Sequence, residues 1–274
     1  MNQIELGRYK QEIAELYTVR SDTYNRSIWH QEIAYRLVEY ARVKPSQNIL
    51  DIATGTGHCA IAAAKLVGEK GKVIGVDIAS GMISQARDKA QQLNLNNIEF
   101  QIADGENLDF PANSFDRIFC ASAFIWMSDL ANSLRSWREL LIPLGIICIQ
   151  AFAETAFIGG VVLQKVAAKY GIDYLMSKPT GTIEKCQNLF SGVGLNNIKI
   201  KVEQTGGYIS VEKAKKMYAG NNHPAPGQYP NPLAKLSSIE QKKIKEEFHR
   251  EIEALETERG VWNDITTFYI YGCK

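Results

Sequence analysis

Histidines are few, cysteines show no paired spacing, and no stretch carries one sign of charge or stays apolar for long. Each shortage closes a class of function. Four histidines (His30, His58, His223 and His249) and five cysteines occur in 274 residues. With no CxxC among Cys59, Cys120, Cys148, Cys186 and Cys273, no metal-ligand spacing is present. The cysteines read as free thiols in a reducing cytoplasm. Thirty-one Lys and Arg stand against thirty Asp and Glu, a net charge of +1, without a basic stripe. Neither nucleic acid nor a membrane surface is therefore an expected partner. The longest apolar stretch, around Leu140–Phe152, is broken by Pro143, Gly145 and Gln150 and is too short to span a bilayer. The first residues are polar, so the expectation is a cytoplasmic protein with no secretory signal.

What is present is a periodic alternation of short buried strands and helices. Residues 4–18 and 29–43 are expected to be helices, the second on the helical spacing of Ile33, Leu37, Val38 and Ala41. From residue 48 the pattern reads strand 48–52, helix 58–67, strand 72–77, helix 80–93, strand 98–103, strand 115–121, helix 129–141 and strand 144–151. Repeated βα units at this spacing predict an α/β, doubly wound, mostly parallel sheet. Beyond it, helices are expected at 157–170 and 182–190, a strand at 198–204, a charged amphipathic helix at 238–259 and a last strand at 265–271. Residues 206–236 hold Pro224, Pro226, Pro230 and Pro232 and read as an irregular lid. The expected organisation is one domain over 1–274: a helical cover (1–45), a nucleotide-binding core (46–152), and lid and helices on the substrate side (153–190 and 206–260).

The chemistry centres on Ile49-Leu50-Asp51-Ile52-Ala53-Thr54-Gly55-Thr56-Gly57 and on Asp77, which closes the next strand 20 residues past Gly57. A glycine turn after one buried strand and an acid ending the next can hold an adenosine ribose, the carboxylate accepting both hydroxyls. Gly55-Thr56-Gly57-His58-Cys59-Ala60 also satisfies GxGxxA, which alone permits a nicotinamide or flavin site. Asp51 argues against a dinucleotide, because a carboxylate before the turn repels a pyrophosphate and suits an amino-bearing group. Asp104, after the third strand, adds an acid where a single adenine would lie.

These segments, with Gly75-Val76-Asp77-Ile78-Ala79-Ser80-Gly81-Met82 and Ile102-Ala103-Asp104-Gly105-Glu106-Asn107-Leu108-Asp109-Phe110, resemble the class I S-adenosylmethionine-dependent methyltransferases. Within that class the similarity is to the branch of the ubiquinone/menaquinone and tocopherol methyltransferases and many natural-product enzymes. It covers about residues 10–152. Ile142-Pro143-Leu144-Gly145 departs from the family's usual Lys-Pro-Gly-Gly. The resemblance implies a Rossmann-like fold of seven strands and S-adenosylmethionine as cofactor, with S-adenosylhomocysteine as product. It implies that Ala53, Gly55, Thr56 and Gly57 hold the methionine part and that Asp51 answers its amino group. Asp77 would bind the ribose, Ile78 and Met82 would flank the adenine, and Asp104 and Gly105 would read its edge. Cys120 and Ala121 would close over the methionine end, and Tyr17 and Tyr24 would cover the cofactor, although aromatics there equally suit packing.

The sequence does not single out a catalytic base. His30, Glu154 and His223 are the candidates, whereas His58 reads as structural and His249 as solvated. Trp29, Phe124, Trp126, Phe157 and Tyr229 are expected to line an apolar pocket for a small, largely apolar or aromatic acceptor. The expected function is transfer of a methyl group to such a metabolite at O, N or C, in specialised or quinone-type biosynthesis. The alternative keeps the cofactor and promotes a non-methylating reaction such as a cyclisation. Homo-oligomerisation is compatible with either.

Overall fold

The computed structural model describes residues 3–25, 28–220 and 224–274. Two discontinuous compact units make up the chain. The larger comprises Lys10–Ala151, Gln187–Lys201 and Tyr269–Lys274; the smaller comprises Met1–Tyr9, Phe152–Cys186 and Val202–Phe268.

A seven-stranded sheet in the order β3-β2-β1-β4-β5-β9-β6 forms the framework. Its strands are β1 (Asn48–Ile52), β2 (Lys72–Asp77), β3 (Ile98–Ile102), β4 (Phe115–Cys120), β5 (Leu141–Phe152), β6 (Asn196–Glu203) and β9 (Thr267–Cys273). Strands β1 to β5 pair in parallel. Ile49, Leu50 and Ile52, and Val73 and Val76, are buried, as strands covered on both faces require. The order reverses at β1, whose neighbours are β2 and β4. Ligands of open α/β sheets bind beyond the strand C-termini at such a switch.

Helices α1 (Gln3–Tyr24), α2 (Trp29–Ala41), α3 (His58–Val67), α4 (Ser80–Gln92) and α5 (Leu130–Leu140) alternate with or precede these strands. Helix α5 begins at an Asp129 cap that accepts from the Asn132 amide at 2.9 Å. It buries Leu134, Trp137 and Leu140 on one face and runs directly into β5. That strand therefore starts three residues earlier than the apolar pattern suggests, and its pairing with β4 shifts register between Phe115 and Arg117.

The smaller unit packs α6 (Ile158–Lys169) and α9 (Ser238–Glu253) around a core of Leu163, Val166, Tyr174, Ile244, Phe248 and Ile252. Helix α9 opens with a capping box between Ser237 and Glu240. Helix α7 (Ile183–Gly192) leads toward β6. Residues 206–236, expected to be irregular, contain β7 (Gly206–Ile209), the short α8 (Val211–Lys215) and a 3-10 turn at Pro232–Lys235. Strand β7 pairs antiparallel with β8 (Val261–Asp264). The strand expected at 265–271 is β9, which begins two residues later, and β8 before it was not expected; Asp264 Oδ1 accepts from the Thr266 amide (3.0 Å) and hydroxyl (2.7 Å) between them. This local turn ends β8 before β9 begins. Among the described residues, no helix is long and apolar enough to cross a membrane.

Candidate functional site

The turn after β1 is left-handed at Ala53 (φ 53°), Gly55 (φ 55°) and Gly57 (φ 84°). Glycine adopts this region freely; Ala53 does so because its neighbours are tied down. Thr54 donates its amide to Val76 O (2.9 Å) and its hydroxyl to Asp51 Oδ2 (2.5 Å). Asp51 Oδ2 also accepts from the Ala60 amide at 3.0 Å, satisfying a donor in the first turn of α3 that has no helical partner. Oδ1 of Asp51 is buried with no conventional donor among the described residues; the Cys59 thiol, a weak donor, lies beside the carboxylate. Burial raises the Asp51 pKa to about 7, against the pull of the bonds from Thr54 and Ala60. A buried carboxylate oxygen without a donor is costly, and it is a ready acceptor for a cationic group.

Asp77, at the end of β2, accepts from the Gly55 amide on Oδ2 (2.8 Å) and from the Ala79 amide on Oδ1 (2.9 Å). It thus ties the glycine turn to the start of α4. Burial raises its pKa to about 6, with those amides opposing. Asp104 follows β3; its Oδ1 accepts from the Glu106 amide (3.0 Å) and its Oδ2 from Lys10 Nζ. Lys10 also lies 3.2 Å from Glu106 Oε2.

Asp77, Asp104 and Gly105 line one cavity together with Ile78 and Met82, and Tyr17, Tyr24 and Trp126 supply its aromatic wall. Tyr17 meets Trp126 edge-on at 6.0 Å and Tyr24 at 6.4 Å. A second cavity, lined by Asp51, Thr56, His30 and His58, shares Tyr24, Ala53, Gly55, Ala121 and Ser122 with the first. His30 stacks on Tyr24 (4.3 Å, 16°) and on Trp29 (3.7 Å). Its Nδ1 is buried with no partner among the described residues, and burial lowers its pKa to about 4. At neutral pH it is an uncharged imidazole.

The chain therefore brings most of the residues read from the sequence to the walls of two adjoining cavities. Four in the larger unit lie elsewhere, the first being Trp29, which packs on His30 but lines neither cavity. Gly57 caps α3, and a Cβ there would stand 3.0 Å from the Phe100 ring. Cys120 is fully buried within β4, and the lining begins at Ala121. Phe124, expected as a pocket wall, is instead core: it is 1% exposed and packs on Trp137 at 5.7 Å. The reason is the 3-10 turn Phe124–Trp126, which turns consecutive side chains about a third of a circle apart and leaves Trp126 facing the cavity.

Phe157, Tyr229 and Glu154 belong to the smaller unit. Phe157 starts α6 at φ 61° and meets Phe152 edge-on at 4.7 Å. Tyr229 lies 6.4 Å from Tyr9, whose hydroxyl accepts from the Gly227 amide. Glu154 pairs with Lys185 at 2.7 Å. His223 lies outside the described residues.

Sequence reasoning missed four supports. Lys10 is one. Glu106 accepts from the Ser128 amide (3.0 Å) and hydroxyl (2.5 Å), the Asp129 amide (3.2 Å) and the Ser133 hydroxyl (3.2 Å). Burial works to raise its pKa, but these bonds and Lys10 outweigh it and leave a net lowering. Trp137 Nε1 donates to Gly105 O at 2.7 Å, fixing the loop after β3. Lys89 donates to Thr56 O (3.1 Å), Thr56 Oγ1 (2.8 Å) and Asn25 Oδ1 (2.8 Å), and burial lowers its pKa to about 8. The acids at the strand ends are a signal that could have suggested Glu106; nothing local points to Lys10.

A family model described as a methyltransferase domain matches residues 44–253. The chain belongs to the class I S-adenosylmethionine-dependent methyltransferases. Among curated members it is 34% identical over 135 residues to aklanonic acid methyltransferase of Streptomyces sp. strain C5, covering 48% of this chain and 61% of that one. It is 32% identical over 146 residues to the ubiquinone/menaquinone biosynthesis C-methyltransferase of Cronobacter sakazakii, covering 53% and 58%. The matches thus span about six-tenths of those relatives' lengths. An S-adenosylmethionine-dependent methyltransferase from Aquifex aeolicus shares the fold, with a TM-score of 0.52 at 19% identity over 70% of this chain and 92% of that one. The cofactor of this class is S-adenosylmethionine, and the methyltransferase fold offers a suitable donor and acceptor set: a buried acceptor for an ammonium at Asp51, a carboxylate beside the glycine turn at Asp77, and an acid beside a backbone amide at Asp104.

Proposed function

We propose that this chain transfers the methyl group of S-adenosylmethionine to a small, largely apolar or aromatic metabolite. The observation that carries the reading is the set of three carboxylates at the ends of three adjacent parallel strands. Asp51, Asp77 and Asp104 face two cavities with shared walls, and Asp51 keeps one buried oxygen without a conventional donor.

When bound, the cofactor supplies an electrophilic methyl group on a positively charged sulfonium. Asp51 would hold the ammonium of its amino-acid part, Asp77 the ribose hydroxyls, and Asp104 with the Gly105 amide the adenine edge. Ile78 and Met82 would flank the base. Tyr17, Tyr24 and Trp126 supply apolar surface that excludes water from the reacting side and orients a flat acceptor. His30, neutral at pH 7 and beside Asp51 in the second cavity, is suited to hydrogen bonding. With a pKa of about 4 it would be a weak base, useful only for an acidic nucleophile. The relatives named for aklanonic acid and for ubiquinone and menaquinone support an apolar acceptor, as does the aromatic wall.

Incubation with methyl-labelled S-adenosylmethionine and a panel of phenols, quinols and aromatic acids tests this. Label in one acceptor, with stoichiometric S-adenosylhomocysteine, is the expected result. Binding of the cofactor without methyl loss to any acceptor would move the reading to a non-methylating reaction.

A further inference from the structure

The oxygen of Asp104 that an adenine amine would use is already engaged. We infer that Lys10 is a specificity-determining residue of the adenine subsite, an internal cation that competes with the exocyclic amine for Asp104 Oδ2. The inference rests on the cofactor reading above.

Asp104 Oδ1 is committed to the Glu106 amide at 3.0 Å. Its Oδ2 accepts from Lys10 Nζ, and both side chains line the cavity that holds Asp77 and Gly105. The pair is largely shielded, with side-chain exposures of 17% and 29%. An ammonium in contact with a carboxylate oxygen takes its best lone pair and repels a further donor brought to the same atom. Lys10 also has somewhere else to go. Glu106 Oε2 lies 3.2 Å from its Nζ, and Glu106 is held by Ser128, Asp129 and Ser133, so it stays in place if Lys10 leaves Asp104. A base with an oxo group where adenine has its amine behaves differently: it accepts from Lys10 and leaves the ion pair intact. Lys10 therefore narrows the preference for adenine, and removing it widens that preference.

The test is calorimetric binding of S-adenosylhomocysteine and S-inosylhomocysteine to wild type, Lys10→Met and Lys10→Gln. Met keeps the aliphatic stem on α1; Gln keeps a neutral donor. In Lys10→Met the adenosyl ligand should bind roughly three- to tenfold tighter, the scale of a partly exposed ion pair. The inosyl ligand should bind more weakly, so that the ratio of the two dissociation constants grows about tenfold or more. Lys10→Gln should fall between. A ratio that is unchanged or smaller in both variants overturns the inference, including the case where loosening of α1 weakens both ligands equally. If wild type binds neither ligand, the cofactor reading itself fails and this inference falls with it.

Discussion

Replacing Asp77 by Ala removes a carboxylate with two tasks. Its oxygens accept the Gly55 amide at 2.8 Å and the Ala79 amide at 2.9 Å, and the Ile78 amide also favours the ionised carboxylate. A carboxylate offers about four acceptor sites, so capacity remains for a ribose hydroxyl. Hydrogen bonds to a charged group contribute about 1.5–3 kcal/mol. The lower part of that range allows for the water each hydroxyl gives up, and the pKa of about 6 means the full charge is present only well above neutrality. Affinity for S-adenosylhomocysteine in Asp77→Ala should fall by about 1.5–3 kcal/mol, or roughly tenfold to 150-fold in Kd. Isothermal titration at pH 8, where the wild-type carboxyl is ionised, measures this directly. Asp77→Asn keeps one acceptor oxygen and sets an NH2 against the backbone donor of the other, so it weakens both tasks in part. Its affinity should fall by more than its folding stability does. Unchanged affinity in Asp77→Ala would refute the assignment of this residue to the ribose. An equal loss of affinity and folding stability in both variants would show that Asp77 only ties the turn to α4.

Three further outcomes follow from the same geometry. In the free protein Asp51 and Asp77 have pKa values raised to about 7 and about 6 by burial, whereas an ammonium and ribose hydroxyls favour the ionised carboxyls. Binding of S-adenosylhomocysteine between pH 6 and 7 should therefore release protons, seen as heats that depend on buffer ionisation enthalpy; proton uptake would contradict this. The sign for folding is opposite: these carboxyls bind protons more tightly folded than unfolded, so their contribution to stability is greatest below about pH 4 and is lost as pH rises toward 7. Asp51→Asn keeps an acceptor for Ala60 but removes a buried charge, so cofactor affinity should fall at least about tenfold with no loss of thermal stability; retained affinity would remove Asp51 from the site. Trp137→Phe strips the bond to Gly105 O at 2.7 Å and should cost about 1–3 kcal/mol in urea unfolding at constant slope; a cost below about 0.5 kcal/mol, the scale of an inconsequential surface change, would mean that the indole bond does not hold the loop after β3.

How far the sequence could be read depended on how local each cause was. Strands β1 and β2 and helix α3 begin and end where the residues suggested, because continuous buried runs end at Asp77 or at the glycine turn and nothing distant moves those limits. Strands β7 and β8 could not be read the same way. Gly206-Gly207-Tyr208-Ile209 has no alternation until its antiparallel partner at 261–264 is known, and prolines nearby suggested irregular chain. Phe124 looked like a pocket wall because it follows β4, and only the 3-10 turn decides that Trp126 points to the cavity instead. The acids at the strand ends were legible because they sit at fixed positions in βα units. Lys10 was not, since it reaches its carboxylate across 94 residues of chain and resembles any lysine on an N-terminal helix.

The most direct test of the central claim is a crystal structure of this protein with S-adenosylhomocysteine bound. The account predicts the adenine edge at Asp104 and the Gly105 amide, the ribose at Asp77, and the amino group at Asp51 Oδ1. A ligand bound away from these three carboxylates, or an empty site at saturating concentration, would contradict it.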